Sequence, residues 1–526
     1  MAGKTELILI CLVAVALLAI VARKLRIPYP ILLTIGGVVL ALVPGLPAIQ
    51  LDPQLVFNLF LPPLLYPAAV YTSWRDFRTN LPQILPLAIV LVLLTMTATA
   101  LLLHALVGLP LAIGFVFGAI ISPPDAVAAL SVTQHLRVPR RIIVILEGES
   151  LVNDATSFIS FRFAVAAVMT GTFSLGQASL QFLFVAVGGI AVGLAVGWLA
   201  TQVQKRLDDP PVQTMFSLLT PYVAYFSGER LHVSGILAVV IAGIYYGWRA
   251  PSVLSGRMRL QAMPVWEMVV FILNGVLFML IGLQLPQVIH ALGPGSALGV
   301  AKLAIMIVSA LVLVRFVWMF GANYLPRLFI RKLRRKNRIP WQQTALMAWT
   351  GMRGADSLAG ALAIPFLLPN GEPFPGRDLI LLLTFCVIFA TLVLQGLTLR
   401  PLTHWLKIVD DNVTEKEERL ARLKANEAAL AHLEEIESLN RATPKTLERL
   451  RSEYVDRIQQ LSREDMPEKK VKRLFSRDFE ELAREALETE RETVITLRNE
   501  ETINDQAFRR IQRDIDLAEA RLQRPA

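Results

Sequence analysis

Cysteine and charge are the scarce components of the first 407 of these 526 residues. The chain has two cysteines, Cys11 and Cys386, both inside apolar runs, which excludes a disulfide-stapled scaffold. Residues 1–407 hold only 29 Lys and Arg and 14 Asp and Glu, whereas residues 408–526 hold 23 and 28. The formal charge of +10 is therefore +15 on an apolar block and −5 on a polar tail. No Walker A run, HExxH, CxxC pair or glycine-rich nucleotide turn occurs. ATP-driven and metal-dependent catalysis are thus not expected, no cofactor is implied, and the chain does not read as an enzyme. Basic charge scattered through apolar sequence reports membrane topology, not a nucleic-acid partner.

What is abundant is hydrophobic length. The chain is 54% hydrophobic with a mean hydropathy of +0.53, above the roughly 45–50% of ordinary globular chains. A spanning helix needs about 20 apolar residues. The breaks give candidate spans at 6–22, 30–44, 54–71, 82–107, 110–136, 141–171, 179–203, 211–227, 233–248, 263–286, 296–325, 341–366 and 378–406. The third and eighth are interrupted by Pro62, Pro63, Pro67 and Pro221.

Loop charge checks the count, because cationic residues collect on the cytoplasmic side. The odd-numbered connections carry 20 Lys and Arg, seven of them between Arg327 and Arg338. The even-numbered ones carry only Arg230 and Arg377. One missed span would scramble that asymmetry. The expectation is an all-α, multi-pass protein of the plasma (inner) membrane with about 13 transmembrane helices. Its N-terminus lies outside and its charged tail in the cytoplasm. Leu7–Ala22 lacks a small-residue cleavage site and runs into Arg23-Lys24, so it reads as a retained first span.

Two domains follow: a transmembrane block over 1–407 and a cytoplasmic helical or coiled-coil tail over 408–526. In the tail, Leu420, Leu423, Leu430, Leu433 and Ile436 recur at helical spacing among charged residues. Pro444 and Pro467 divide it, and Phe475, Phe479, Leu482 and Leu487 begin another stripe. Its partner is not legible.

Most spans hold no ionisable residue, and an Asp or Arg at a helix centre costs roughly 2.5–3.5 kcal/mol on insertion scales. The exceptions cluster. In the fifth span, Ser122-Pro123-Pro124-Asp125 removes two amide donors, leaving carbonyls near Ala119 to Ile121 without helical partners. Freed carbonyls beside Asp125 suit a hard alkali cation; the alternative is a proline kink capped by Asp125.

In the sixth span, Ser150, Asp154 and Ser157 share one helical stripe, and Glu147 lies about 20° from Asp154, two turns away. Glu149 points about 140° round from Asp154 and needs a different partner. An acid at mid-depth can take a proton or a dehydrated cation, but hardly both together. A purely structural carboxylate pair is the plainer alternative.

The twelfth span carries Gly351-Met352-Arg353-Gly354-Ala355-Asp356. Its glycines suggest a loosened helix, and Arg353 is the expected partner of Glu149, clamping the broken elements together. Asp356, one turn on, either competes for Arg353 or satisfies it. Arg315 in the eleventh span reads as a scaffold binding carbonyls or a carboxylate, or else as a modulator of transport. His104 and His135 near span ends read as structural, and Arg162 and Lys302 can snorkel to an interface.

Together, Ser122-Pro-Pro-Asp-Ala-Val-Ala128, Gly148-Glu-Ser-Leu-Val-Asn-Asp-Ala-Thr-Ser-Phe158 and Gly351-Met-Arg-Gly-Ala355 resemble the cation–proton antiporters. They are most similar to the electroneutral, NhaP-like sodium/proton branch in its bacterial form. Supporting stretches are Phe60–Leu65, Ser234–Val240, Val276–Gln284 and Gln395–Pro401, so the resemblance covers nearly all of 1–407. The adjacent Asn153-Asp154 is specific to that branch, since electrogenic relatives tend to have two aspartates there.

The resemblance implies that Asp154 binds Na⁺ or H⁺ in turn. Asn153 and Asp125 shape that site, Ser150 and the backbone around Ser122 add oxygens, and Glu149 with Arg353 forms a bracing ion pair. Asp154 and Asp125 are the implied Na⁺ ligands, and Glu147, Asp356 and Arg315 are modulators. It also implies two inverted six-span repeats, unwound fifth and twelfth helices that cross, a homodimer, and movement of a core domain against a dimer domain. Two positions depart from the family pattern: Pro67, where a small or acidic residue is usual, and Asp356, where a small apolar one is. Ion preference among Na⁺, Li⁺ and K⁺ stays open. The competing class is a membrane-anchored signalling protein acting through its tail, which leaves the buried acids unexplained.

Overall fold

In the absence of water, a lipid-embedded chain has to satisfy its backbone hydrogen bonds internally, which for these apolar stretches means helix. The computed structural model describes residues 2–25, 29–43, 56–125, 138–171, 174–253, 256–291, 297–329 and 339–408. Beyond these it describes chiefly 423–434 in the tail, with a few positions further on. Among the described residues the chain is helical, with no strand and one isolated bridge between Leu367 and Pro373.

In chain order the helices are α1 Ala2–Leu25, α2 Tyr29–Ala41, α3 Leu61–Tyr71, α4 Trp74–Leu85, α5 Val92–Val107, α6 Leu111–Ile121 and α7 Arg140–Thr170. They continue as α8 Leu175–Gln204, α9 Pro210–Arg230, α10 Gly235–Val253, α11 Gly256–Ala291, α12 Ala297–Phe329, α13 Trp341–Trp349, α14 Ala355–Leu362 and α15 Arg377–Trp405. A π-helical turn over Pro86–Leu91 joins α4 to α5, because Pro86 lacks the amide that a regular helix would use. Among the described residues, six stretches are long and apolar enough to cross a bilayer: Trp74–Val107, Arg140–Thr170, Gly176–Gln204, Gln261–Leu280, Leu298–Tyr324 and Arg377–Trp405. Tyr29–Ala41, Leu111–Ile121 and Gly235–Ala250 are apolar but shorter.

The chain divides into two compact units, Met1–Asp411 and Asn412–Ala526. Within the first, helices pack most closely in two sets. α2 lies on α11, while α10 packs on both α8 and α3; elsewhere α5 lies on α6, α6 on α7, and α12 on α13. Packing between the sets, as of α7 on α8 and α10, is sparser. In the second unit, residues 423–434 are helical, and an exposed pair joins Arg451 to Glu434 at 3.5 Å. Phe475, Phe479 and Leu482, like Leu420, Ile436 and His135, lie outside the described residues.

Candidate functional site

Three elements converge on the buried charges: one ends at a proline pair, one is interrupted, and one is continuous. Helix α6 makes its last regular bond from the Ser122 amide to the Gly118 carbonyl, at 3.0 Å, before Pro123 and Pro124 end the donor series. Helix α13 stops at Trp349, residues 350–354 are non-helical, and α14 starts at Ala355. The two breaks meet: the Asp125 amide donates to the Met352 carbonyl at 2.7 Å. At Gly354 any Cβ would overlap the Asp125 carboxylate, so only glycine permits this approach.

Carbonyls at the end of α6, those of Ala119, Ile121 and Ser122, are taken up by protein donors. Arg353 Nε donates to the Ile121 carbonyl at 2.7 Å and Nη2 to that of Ser122 at 3.2 Å. A further guanidinium hydrogen bond reaches the Gly351 carbonyl. Ser157 Oγ donates to the Ala119 carbonyl, as does Ser122 Oγ at 3.3 Å. Arg353 is thus a cross-brace between the breaks, and its own amide donates to Thr391 Oγ1 of α15 at 3.1 Å.

This corrects the expected Glu149–Arg353 pair. Glu149, 1% exposed, is gripped bidentately by Arg315: Nη1 to Oε1 at 2.5 Å and Nη2 to Oε2 at 2.8 Å. Arg315 also donates from Nε to the Met347 carbonyl at 3.3 Å. The roles of the two arginines are exchanged because Arg353 sits among unpaired carbonyls, which its fork satisfies in place. Carbonyls lying against a guanidinium are also poor ligands for a second cation, so the backbone oxygens of Ile121 and Ser122 lose weight as ion ligands.

The third element, α7, runs uninterrupted for the 31 residues Arg140–Thr170, capped by Pro139 and by a left-handed Gly171 at φ 70°. It buries Asn153 and Asp154 at 0% and 1% exposure. Both amide atoms of Asn153 and Oδ2 of Asp154 have no partner among the described residues. A buried polar group left unpaired costs roughly 1–3 kcal/mol, so this pair is energetically incomplete as protein alone. Asp125 and Asp356 lie near enough for their charges to act on Asp154, and Asp125 acts on Asp356. Asp125 and Ser122 are buried, while Glu147, Ser150 and Asp356 are half-buried. No group of three or more His, Cys, Asp or Glu among the described residues is arranged to hold a metal. Any cation here would rely on few carboxylates together with neutral oxygens.

Sequence reasoning missed three contacts. Thr391 supports the second break; its signal was the stripe Thr384, Thr391, Gln395 and Thr398 on α15. Arg162, expected to snorkel, pairs with Glu229 at 2.8 Å across to α9. Arg140 pairs with Asp76 at 2.7 Å at the start of α7. His104 Nδ1 lies 2.7 Å from the Leu109 carbonyl.

A helical membrane protein with buried acids gathered where two helices end or break has the features of an ion-coupled transporter. The profile of the transmembrane sodium/hydrogen exchanger family matches residues 10–405. A protein of Mycobacterium tuberculosis named as an uncharacterized Na⁺/H⁺ exchanger is 34% identical, over 100% of this chain and 98% of its own. Another so named, of Escherichia coli, is 32% identical, over 98% of each. A sodium, potassium, lithium and rubidium/H⁺ antiporter of Bacillus subtilis is 35% identical, over 76% of this chain and 61% of that one. The fold matches the solved sodium proton antiporter of Methanocaldococcus jannaschii with TM-score 0.65 at 19% identity, covering 76% of this chain and 98% of that one. The chain belongs to the sodium/hydrogen exchanger family of membrane antiporters.

Proposed function

We propose that the chain exchanges Na⁺ for H⁺ one for one, with Asp154 holding either ion in turn. The carrying observation is the Asn153–Asp154 pair, sequestered at the middle of α7 with polar atoms unpartnered. An ionised, empty Asp154 is costly to expose to a low-dielectric barrier. Either a proton or a monovalent cation cancels that charge, so the loaded forms can change access while the empty form resists. Alternating access with one carboxylate and two competing monovalent guests yields electroneutral exchange. The proton gradient drives it, without ATP.

In this reading Asp154 and Asp125 supply anionic oxygen to Na⁺, and Asn153 and Ser150 supply neutral oxygen. Glu149 with Arg315, and Arg353 with its carbonyls, hold the interruptions in place. Residues 1–407 form the transport unit, with thirteen spans, inverted repeats and breaks that cross, the N-terminus outside and 408–526 cytoplasmic as a helical appendage. The protein works as a homodimer in the plasma membrane. The loose packing between the two helix sets favours movement of one against the other.

The B. subtilis relative's name supports a second ion range, in which K⁺, Li⁺ or Rb⁺ replaces Na⁺. Purified full-length protein in proteoliposomes, given an acid interior and then each cation outside, separates these readings. Na⁺-dependent alkalinisation that is unaffected by clamping the membrane potential is expected. Exchange accelerated by K⁺ alone would reassign the ion, and no exchange with any alkali cation would refute the function.

A further inference from the structure

Because α7 is continuous from Arg140 to Thr170, the register of its side chains is fixed along its length. Asp154 lies 14 residues in, about 21 Å along at about 1.5 Å per residue. Between Ile142 and Leu151 all residues are buried except Ile143, Glu147 and Ser150. With half-buried Arg140 before them and Asp154 after, these positions step by three and four and so share one face. Lipid-facing stripes elsewhere in the chain are apolar, as on α8, where Leu180, Phe184, Val187 and Trp198 are exposed. A stripe whose half-buried members include an arginine, a glutamate and a serine suits a polar environment better than lipid. It runs from the start of α7 to Asp154.

Along that stripe the charges are unequal. Arg140 is paired with Asp76 at 2.7 Å, so the positive charge at the mouth is partly offset. Glu147 makes no hydrogen bond or ion pair among the described residues, and the charge of Arg140, two turns back, acts on it. It lies two turns, about 10 Å, from Asp154 on the same face. A carboxylate at that place attracts cations toward the buried pair.

We propose that Glu147 is a docking carboxylate for the monovalent cation, occupied one stage before Asp154. This rests on the exchange reading above and adds an ordered approach from the Arg140 end of α7. The cation sheds part of its hydration at Glu147 and passes Ser150 before reaching the buried pair. Glu147 is a positioning residue: it raises the local cation concentration and does not hold the ion that is carried across.

The test compares wild type, Glu147→Gln, Glu147→Asp and Asp154→Asn as full chains in proteoliposomes, with exchange rate measured against Na⁺ concentration at low ionic strength. One nearby charge at high effective dielectric corresponds to about fivefold in local cation occupancy. Glu147→Gln is therefore expected to raise the apparent KM for Na⁺ about fivefold, with the maximal rate within about twofold of wild type. Glu147→Asp should restore the wild-type KM, and added choline chloride should shrink the Gln effect by screening. An unchanged KM in Glu147→Gln overturns the docking role, as does a lost maximal rate at unchanged KM. Wild type that does not exchange, or Asp154→Asn that does, overturns the exchange reading and this proposal with it.

Discussion

Arg315 holds Glu149 by two parallel hydrogen bonds of 2.5 and 2.8 Å, with 3% and 1% of the respective side chains exposed. The pair joins α12 to α7 beside the breaks without touching the acid assigned to ion binding. Breaking it strands a buried charge, which costs about 3–5 kcal/mol. Glu149→Gln and Arg315→Met are each expected to lower the apparent melting temperature in detergent by several degrees. The double Glu149→Met, Arg315→Met variant should recover much of the loss. A double variant no better than either single one would show that the pair is not a unit.

Arg353 should behave differently, because its partners are carbonyls and not a carboxylate. Arg353→Met leaves Ile121 and Ser122 without their donors, and a sharp fall in monodisperse yield is expected. Arg353→Lys supplies one compact ammonium where a fork spans two carbonyls, so partial recovery is expected. Size-exclusion profiles of the tagged protein measure both. Wild-type yield from Arg353→Met would contradict the cross-brace.

Gly354→Ala probes the meeting of the breaks. Its methyl would occupy the space of the Asp125 carboxylate, so that group has to move while the helices around it remain. Near-normal yield with exchange reduced at least about tenfold is expected in proteoliposomes. Unaltered exchange would mean that the position of Asp125 is immaterial.

The parts legible in the sequence were those with a cost attached to composition. Pro123 and Pro124 announced the end of α6, and Gly351 with Gly354 announced the interruption before α14. Asn153 and Asp154 stood out because ionisable groups are rare in apolar spans. The partner of Glu149 was not legible, since Arg315 and Arg353 carry the same chemistry and only three-dimensional distance separates them. Nor was the use of the freed carbonyls, because sequence shows that a donor is missing but not which side chain replaces it. The ion pairs Arg140–Asp76 and Arg162–Glu229 span 64 and 67 residues, beyond any local periodicity.

Competition at Asp154 is most directly measured by proton release from purified protein in weakly buffered detergent solution when Na⁺ is added. Wild type is expected to release about one proton per chain as Na⁺ displaces it, and Asp154→Asn, folded and monodisperse, is expected to release none. Proton release by Asp154→Asn equal to that of wild type would contradict the assignment of that carboxylate as the shared seat of both ions.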